Sequence, residues 1–513
     1  MGTNLASGFY QIAQARPDGI AIVDPDGTPF TFGELGRRVN QISRSLRSLG
    51  LATGDVVAGV VHNGAEYLEL VLATGQVGLY FVPVNWHLSP AEIGYILQDS
   101  EARLVVAAAE QAREIPPGAL PAHRFVVGGT VAGWLPFEEF GRGESDEEPA
   151  LRRSGATMAY TSGTTGNPKG VKAAIPDVDP ESVLGGYLDF VAAYGVAPDG
   201  VHLVCSPLYH AAPSGHALAF LHAGHTVVIQ QKFDAESVLR DIERYRVTSS
   251  HMVPTHFHRL LQLPDETRRR YDLSSLQALI HAGAPCPVPI KQQMLDWVGP
   301  VVWEYLGSTE GSVSRVSPQE WIAKPGTVGR PMRGLVVKIL GPEGAEVPRG
   351  EPGMIYFGYP GHAPVFEYHH DPEKTSAARF GDLITAGDYG YFDDDGYLFL
   401  LDRRTDVIIS GGVNIYPAEI EQQLITHPSV DDVAVIGVPD PEWGSSVLAV
   451  VQPSPGAVAG EELAASLLAY SGVRLASFKR PRRIEFVSDF PRTESGKVQR
   501  RVLRDRFAPA PAD

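Results

Sequence analysis

Cysteine, targeting signals and long apolar runs are scarce or missing in this 513-residue sequence. Its two cysteines, Cys205 and Cys286, lie far apart and outside any Cys-x-x-Cys arrangement, which excludes a disulfide framework and a thiolate zinc site. No apolar run approaches the roughly 20 residues of a membrane-spanning helix. The first residues, MGTNLASGFY, lack the basic and apolar regions of a signal peptide, and Ala6 breaks the myristoylation pattern. We therefore expect a cytoplasmic protein with no stable membrane insertion.

Positive charge is also in short supply, with 43 lysines and arginines against 60 aspartates and glutamates and a formal net charge of -17. The summed field of such a chain repels polyanions, so nucleic acid and anionic lipid surfaces are not expected as partners. Any anionic ligand must instead meet local positive charge. Small molecules are the expected partners, and a homodimer is possible.

What is present is the composition of a folded enzyme, with 43% hydrophobic and 20% charged residues. A chain of this length usually divides into more than one folded unit. Helical patterns such as residues 32–49 and 235–245 alternate with short apolar runs such as residues 56–61, 104–108 and 226–229. That alternation predicts a large α/β N-terminal domain built from repeated layers of sheet and helix.

The residue pattern of the sequence changes twice toward the C-terminus. After about residue 325, glycine and proline punctuate short β-like runs such as residues 336–340 and 353–357, which predicts a β-rich subdomain. Beyond Asp402, a helix candidate at 417–426 followed by strand candidates predicts a small α+β domain. We place the domains at 1–402 and 403–513, with a ligand site expected in the cleft between them.

One loop combines hydroxyl groups, glycines and a lysine in the stretch Tyr160-Thr-Ser-Gly-Thr-Thr-Gly-Asn-Pro-Lys169. Backbone amides opened by glycine, several hydroxyls and an ammonium group together suit a triphosphate. The candidate contacts are Thr161, Ser162, Gly163, Thr164, Thr165 and Lys169. The spacing is not that of a Walker A loop, because Pro168 and Gly170 stand where that motif needs Gly and then Ser or Thr. A flexible surface turn is the alternative.

This loop resembles the phosphate-binding signature of the adenylate-forming (AMP-binding) superfamily, which includes acyl-CoA synthetases, luciferases and peptide-synthetase adenylation domains. Four further segments resemble the family's motifs in the expected order, so the resemblance covers nearly the whole chain. It points to the acyl-CoA synthetase or fatty-acid–CoA ligase type. The fold it implies is α/β, with a large multi-layer N-terminal domain that includes a β-rich subdomain and a small mobile α+β C-terminal domain.

The second match is His281-Ala-Gly-Ala-Pro285, which resembles the family segment whose backbone lies against adenine. The contacts it implies are Gly283, Ala284 and Pro285. The turn at the end of any strand would look similar, so an ordinary structural turn is the alternative.

The third match, Glu304-Tyr-Leu-Gly-Ser-Thr-Glu310, is implied to place Thr309 near the α-phosphate and Glu310 on Mg²⁺. A carboxylate suits a hard cation that bridges phosphate oxygens and offsets charge as pyrophosphate leaves. The residues implied to line the nucleotide are Tyr305, Leu306 and Gly307. The family commonly has an aromatic ring at the position of Leu306. Here Leu306 supplies an apolar wall instead, or Tyr305 takes over the stacking.

The fourth match joins the segment ending at Asp388 to the run that begins at Asp402. An aspartate accepts hydrogen bonds from both ribose hydroxyls and an arginine adds charge-assisted donors, so Asp388 and Arg403 are implied to hold the sugar or a phosphate. Leu400 is implied to line adenine. Thr405 stands where the family's interdomain hinge lies, and a hinge only needs to absorb backbone rotation. A surface ion pair is the alternative.

The fifth match runs from Phe478 to Arg500 and contains Lys497 in a Ser-Gly-Lys turn. Bringing a carboxylate onto the α-phosphate forces two anions together, and the Lys497 ammonium would offset their repulsion. The resemblance implies two steps: the acid attacks the α-phosphorus of ATP and expels pyrophosphate, and then the CoA thiol attacks the acyl-adenylate and expels AMP. Between the steps the C-terminal domain is implied to rotate, which would bring Gly411 and Gly412 beside the pantetheine of CoA.

The acid is less constrained by the sequence than ATP is. Peptide-synthetase adenylation domains place an Asp near the start of their substrate pocket, where this sequence has His210, so amino acids are disfavoured. His210 would orient the carboxylate, or it is simply a polar residue at a strand end. The small, apolar stretch 211–220 fits one wall of an acyl pocket and fits ordinary helix packing equally well. A fatty or other bulky hydrophobic acid is favoured, with aryl acids and sterol side-chain acids left open.

The candidate catalytic residues are therefore Lys497, Glu310, Thr165 and His210. We interpret the chain as an acid–CoA ligase that uses ATP, Mg²⁺ and coenzyme A. The alternatives are an enzyme that loads acyl groups onto a separate carrier protein and a non-catalytic nucleotide-binding relative. The sequence lacks the motifs of serine hydrolases and zinc proteases. The histidines expected to be structural are His251, His256 and His258.

Overall fold

The computed structural model describes residues 8–161, 168–361, 366–403, 406–410, 413–440, 443–493 and 498–507. Their internal contacts divide the chain into two units. The first unit contains the described residues up to 252 together with Leu263–Ile280 and residues 366–377. The second contains Val253–Gln262, residues 281–361 and the described residues from 378 onward. The predicted boundary at 402/403 lies inside the second unit, and it stays a prediction.

The helices and the strands of the described chain are each numbered in sequence order. The helices are α1 (Phe9–Ala15), α2 (Phe32–Ser48), α3 (Ala65–Gln76), α4 (Pro90–Asp99), α5 (Ala109–Glu114), α6 (Pro180–Ala192), α7 (Ala211–His222), α8 (Ala235–Tyr245), α9 (Pro254–Leu261), α10 (Asp265–Arg270), α11 (Val288–Val298), α12 (Pro318–Ala323), α13 (Pro372–Ala377), α14 (Pro417–Leu424), α15 (Glu461–Gly472) and α16 (Arg500–Phe507). The strands are β1 (Ile20–Val23), β2 (Pro29–Thr31), β3 (Val56–Val60), β4 (Tyr80–Pro83), β5 (Ala102–Ala108), β6 (His123–Val127), β7 (Leu135–Pro136), β8 (Ala156–Thr161), β9 (Lys169–Ala173), β10 (Val201–Val204), β11 (Thr226–Ile229), β12 (Ser249–Met252), β13 (Ala278–His281), β14 (Val302–Ser308), β15 (Gly311–Val316), β16 (Arg330–Pro331), β17 (Val336–Leu340), β18 (Gly353–Gly358), β19 (Phe366–Tyr368), β20 (Arg379–Phe380), β21 (Leu383–Ile384), β22 (Asp388–Phe392), β23 (Leu398–Arg403), β24 (Ile408–Ser410), β25 (Val413–Ile415), β26 (Val430–Asp440), β27 (Gly444–Pro453) and β28 (Arg483–Phe486).

The first unit is built from two largely parallel sheets covered by helices. One sheet has the strand order β12-β10-β11-β1-β2, and only the β1–β2 pair is antiparallel. The other has the order β19-β9-β8-β4-β3-β5-β6-β7 and ends in two antiparallel pairs at β8–β9 and β9–β19. Ile22 and Val227 of the first sheet share one core with Val57 and Phe81 of the second. The predicted α/β layers are confirmed.

Helix α2 shows how local sequence positions these layers. Its N-terminus is a capping box, in which the Glu34 N–H donates to the Thr31 hydroxyl at 3.1 Å and the Thr31 N–H donates to the Glu34 carboxylate at 2.8 Å. Leu35, Val39 and Ile42 then recur at helical spacing and are all buried. The polar cap and the apolar stripe together fix where the helix begins and which face it buries.

The second unit is richer in β structure. It contains the β14–β15–β16 strands, a sheet ordered β20-β21-β18-β22-β23 with β17 on β18, and the β24–β25 hairpin. Its C-terminal part is the sheet β26-β27-β28, which has α14 and α15 over one core and α16 over the other. The predicted β-rich subdomain and small α+β C-terminal part are confirmed. No helix in the described ranges is long and apolar enough to cross a membrane.

Candidate active site

Lys169 opens strand β9, directly opposite the last residue of β8. The antiparallel register pairs Thr161 with Lys169, and the Thr161 hydroxyl donates to the Lys169 carbonyl at 3.5 Å. The structure therefore brings the two ends of the predicted phosphate loop together. The central residues of that loop, Ser162, Gly163, Thr164 and Thr165, lie outside the described residues.

The side chain of Lys169 forms an ion pair with Asp371, which sequence analysis missed. The pairing of β19 with β9 carries the segment before Asp371 alongside Lys169, although 202 positions separate the two residues. The Asp371 carboxylate also accepts a hydrogen bond from the Lys374 N–H at 2.9 Å, at the start of α13. The hydrogen bond from Lys169 holds the pKa of Asp371 below its ordinary value. The ammonium that would face phosphate thus has an anionic partner of its own.

A cavity in the second unit collects most of the predicted nucleotide contacts that the structure describes. The predicted residues that line it are Gly283, Ala284, Pro285, Tyr305, Leu306, Gly307, Asp388 and Leu400. They come from three separate parts of the sequence: the turn after β13, strand β14 and the β22–β23 pair. A concave site that brings apolar surface and polar groups together is the usual form of a small-molecule site.

The β22–β23 pair forms the side of the cavity that is predicted to face the ribose. Its register places Asp388 opposite Arg403 and Gly390 opposite Leu400. Gly390 permits this close approach, since a Cβ atom there would lie 2.4 Å from the Phe399 carbonyl oxygen. The backbone therefore brings the predicted pair Asp388 and Arg403 together, whereas the side chain of Arg403 lies outside the described residues.

A buried ion pair forms the wall behind the predicted adenine segments. Lys291 of α11 donates to Glu304 of β14 at 2.6 Å, and the Nε2 atom of His281 lies 3.5 Å from the same carboxylate. Burial raises the pKa of Glu304, and Lys291 limits that rise. Burial and then the Lys291 charge hold the pKa of His281 well below its ordinary value, so its ring is neutral. Glu304 lines the cavity, and sequence analysis gave it no role.

Tyr305 and Leu306 both line the cavity, and each is 8% exposed. The register of β14 with β15 shifts between Leu306 and Gly307, which locally breaks the alternation of a regular strand. Both predicted forms of the adenine contact are therefore compatible with the cavity: an apolar surface from Leu306 and an aromatic ring from Tyr305.

The C-terminal elements add charged residues that the sequence motifs did not single out. Arg500 donates to the Glu421 carboxylate at 2.7 and 2.8 Å, and Arg492 forms an ion pair with Asp432. All four of these residues line the cavity. His258 of α9 lines it as well, with its Nε2 atom 3.2 Å from Asp431. No side-chain cluster with metal-ligand spacing in the described ranges includes His258, His251 or His256.

Thr309 and Glu310 form the two-residue turn that joins β14 to β15. Ser308 and Gly311 pair across the base of this turn, and Glu310 is half-buried. A carboxylate at the tip of a hairpin that also contributes Leu306 and Gly307 to the cavity fits the donor type that Mg²⁺ requires.

His210 is the N-terminal cap residue of α7 in the first unit. Burial lowers the pKa of His210 to about 4, so the ring is neutral near pH 7. Its Nε2 atom is buried and has no hydrogen-bond partner among the described residues. A buried ring nitrogen without a partner is ready to bind a polar ligand atom.

The remaining predicted residues cannot be placed. Thr405, Gly411, Gly412 and Lys497 lie outside the described residues. The roles predicted for them, and for Thr165, stay predictions.

Comparison with known proteins shows the family to which the chain is related. Residues 9–366 match the model of the AMP-binding enzyme family, and residues 419–497 match that of the AMP-binding enzyme C-terminal domain. A feruloyl-CoA synthase from Amycolatopsis sp is 36% identical, over 98% of this chain and 99% of its own. The fatty acid–[acyl-carrier-protein] ligase ScoC from Streptomyces coeruleorubidus is 32% identical, over 96% and 95%.

A solved structure of a related protein shows that the similarity extends to the fold. The anthranilate CoA ligase AuaEII, in complex with anthranoyl-AMP, superposes with a TM-score of 0.87 at 28% identity, over 98% of each chain. The chain therefore belongs to the AMP-binding enzyme family, the adenylate-forming superfamily. Within it, the chain is an enzyme of the acyl-CoA synthetase type.

Proposed function

We propose that this enzyme activates a hydrophobic carboxylic acid with ATP and transfers the acyl group to coenzyme A. The observation that carries the proposal is the cavity of the second unit, where three separated family motifs meet around Asp388. In the first step a carboxylate oxygen attacks the α-phosphorus of ATP and pyrophosphate leaves. In the second, the CoA sulfur attacks the acyl carbon and AMP leaves with the oxygen that had joined it to the acyl group.

Adenosine would occupy this cavity, with the base against the segment from Gly283 to Pro285 and against Leu306 and Leu400. Asp388 would accept hydrogen bonds from the ribose hydroxyls. Lys169 and the hydroxyl-rich loop before it would hold the phosphates. A Mg²⁺ ion held by Glu310 would neutralise charge on the departing pyrophosphate. Lys497 would offset the repulsion between the carboxylate and the α-phosphate.

The acid would lie beside His210. Within the described ranges its Nε2 atom has no hydrogen-bond partner, which supports a hydrogen bond donated from this nitrogen to the carboxylate. The next residues on α7 split into two faces. The face that contains His216 and Phe220 is buried in the core, so ordinary helix packing holds there. Ala211 and Gly215 lie on the other face, and a Cβ atom at Gly215 would meet nothing within 4 Å, which supports space for a bulky acyl group.

The acceptor is coenzyme A in this proposal. Gly411 and Gly412 follow β24, and the large apolar side chains Ile409 and Val413 on either side of them are 60% and 44% exposed. Exposed apolar side chains that form a contiguous patch can mark a binding surface, and the apolar part of pantetheine would suit one here. The domains 1–402 and 403–513 would rotate against each other between the two steps. A cytoplasmic setting and a homodimer complete the proposal, and analytical ultracentrifugation tests the latter.

Pyrophosphate release across a panel of fatty, aryl and sterol side-chain acids, with and without CoA, tests the function. We expect release that depends on the acid and on Mg²⁺, together with a CoA thioester. Release without any thioester would favour the carrier-protein alternative, for which ScoC is a named relative. No release with any acid would favour a non-catalytic nucleotide-binding protein.

A further inference from the structure

Three potential metal ligands meet in the first unit. Asp99, at the end of α4, and His369 and His370, between β19 and α13, each offer a ligand atom, and these atoms lie within 4.8 Å of one another. The described residues contain no other such group of three. None of the sequence motifs covers it.

Neighbouring hydroxyls hold the carboxylate of Asp99 in place. Tyr160 donates to its Oδ2 atom at 2.7 Å, and Tyr95 donates to its Oδ1 atom at 3.2 Å. Tyr160 belongs to β8 and Tyr95 to α4, so two rigid elements orient this one group. Outer hydrogen bonds of this kind are what orient carboxylate ligands in metal sites.

The hydrogen bond made by His369 fixes which of its nitrogens carries the proton. Its Nε2 atom lies 2.9 Å from the backbone carbonyl oxygen of Asp99, and because a carbonyl can only accept, Nε2 must donate. In the neutral ring, Nδ1 then carries a free lone pair. Metal-binding histidines commonly donate their other N–H to a backbone carbonyl in this way.

His370 completes the group and has room to adjust. Its ring stacks on that of His369 with centroids 3.8 Å apart, and its side chain is 55% exposed. Its Nδ1 atom lies 3.8 Å from the Oδ1 atom of Asp99, which is longer than a hydrogen bond. Two ligands of one tetrahedral zinc ion lie about 3.3 Å apart, given bond lengths of about 2.0 to 2.1 Å. The three ligand atoms lie within 4.8 Å of one another. They would therefore have to approach by at most about 1.5 Å to reach that spacing.

We propose that Asp99, His369 and His370 form a site for a zinc-class divalent cation, with water as the fourth ligand. Two imidazole nitrogens and one carboxylate suit Zn²⁺, whereas Mg²⁺ prefers oxygen ligands throughout. The site differs from the Glu310 position in ligand type and lies in the other unit.

The same segment restrains Lys169. The backbone N–H of His369 donates to the Gly170 carbonyl at 2.8 Å. Asp371, two residues further along the chain, forms the ion pair with Lys169. A cation that fixes His369 and His370 would hold Asp371 in its ion pair with Lys169. Asp371 then competes with the phosphates of ATP for the Lys169 ammonium. Bound zinc therefore weakens ATP binding. This coupling rests on the proposed phosphate role of Lys169, whereas the zinc site itself does not.

Calorimetric titration of the full-length protein with Zn²⁺ tests the site. We expect one equivalent to bind to the wild type and the affinity to fall by at least about tenfold in His370→Asn. Asparagine suits that position because His370 has φ +53°, a conformation that asparagine tolerates. His87→Asn, at another exposed histidine of the first unit, is the matched control and should bind as the wild type does. Equal zinc affinity in wild type and His370→Asn would overturn the site.

Equilibrium binding of ATP with and without one equivalent of Zn²⁺ tests the coupling and needs no turnover. We expect zinc to raise the Kd for ATP roughly tenfold in the wild type, the size of one charge-assisted hydrogen bond to phosphate. It should not raise this Kd in His370→Asn, which also controls for zinc bound by ATP itself. The same Kd shift in both proteins would overturn the coupling. An enzyme that binds zinc and ATP as expected yet forms no thioester would instead count against the proposed function.

Discussion

Lys291 donates a hydrogen bond to Glu304 at 2.6 Å, and both side chains are buried, with 0% and 9% of their surface exposed. The ammonium also lies 4.8 Å from the centre of the Trp321 ring. A carboxylate in such a place needs a partner, since desolvation alone disfavours its charged form. This wall of the cavity therefore contains two opposite charges, and their net charge is zero.

Replacing Lys291 with Met should destabilise the protein strongly, because Glu304 is then left buried without its cation. We expect a loss of about 3–5 kcal/mol in the free energy of unfolding, measured by urea denaturation. The double variant Lys291→Met with Glu304→Gln should recover much of it. Arg103→Met breaks the more exposed pair with Asp55 and should cost less than about 1 kcal/mol. A loss in Lys291→Met no larger than in Arg103→Met would contradict the account.

Asp388→Asn tests ribose recognition. Asn keeps the size of the side chain but loses the charge that strengthens two hydrogen bonds to the sugar, so the KM for ATP should rise by about tenfold or more. The KM for the acid should change little. Asp394→Asn, on the exposed turn between β22 and β23, is the matched control. An unchanged KM for ATP in Asp388→Asn would remove this residue from the site.

Buried histidines should make the fold sensitive to acid. Burial lowers the pKa of His222 to about 3 and that of His256 to about 3, whereas an unfolded histidine titrates near 6.5. The unfolded chain therefore binds more protons below pH 6.5, and stability is lost as pH falls from there toward 3. Each such histidine contributes about 1.4 kcal/mol per pH unit within that window.

His222→Asn isolates one of these groups. The Nδ1 atom of His222 accepts a hydrogen bond from the Phe9 N–H at 3.1 Å, and an asparagine oxygen can accept the same bond. Between pH 4 and 6, the free energy of unfolding measured by urea denaturation should change less steeply with pH in the variant than in the wild type. The difference should correspond to the uptake of about one proton on unfolding. His87→Asn, at an exposed position, should leave the slope unchanged. Equal slopes in His222→Asn and the wild type would show that this ring does not resist protonation.

Lys497→Ala should separate the two half-reactions. The motif predicts that the lysine acts only while carboxylate and α-phosphate meet, so acid-dependent pyrophosphate release should fall by at least about a hundredfold. Conversion of supplied acyl-AMP and CoA to the thioester should persist, because that step begins after the two anions have joined. Full pyrophosphate release in the variant would show that the assigned role is wrong.

Periodic segments were the easiest part of the fold to predict from the sequence. The helix expected at 235–245 and the strand expected at 226–229 have those bounds as α8 and β11. Each combines a clear apolar pattern with nearby punctuation, such as the Asp234 cap of α8, so local physics decides them. The helix expected at 417–426 is instead α14, from Pro417 to Leu424, which shows the usual uncertainty at element ends.

Contacts between distant segments could not be predicted in this way. The ion pair of Lys169 with Asp371 depends on β19 joining β9, and no local pattern announces that pairing. Lys291 would be expected at a helix surface, since lysine is rarely buried, and only the tertiary partner Glu304 explains its position. The motifs identified residues that line one cavity, whereas the charged groups beside them depend on the fold.

The central claim is acyl transfer through an adenylate, and oxygen-18 in the acid tests it most directly. The enzyme is incubated with a doubly labelled carboxylic acid, ATP, Mg²⁺ and CoA, and the products are examined by mass spectrometry. The account predicts a CoA thioester that retains one labelled oxygen and AMP that carries the other, because the attacking carboxylate oxygen leaves with AMP. Unlabelled AMP alongside the thioester, or ADP in place of AMP, would contradict it.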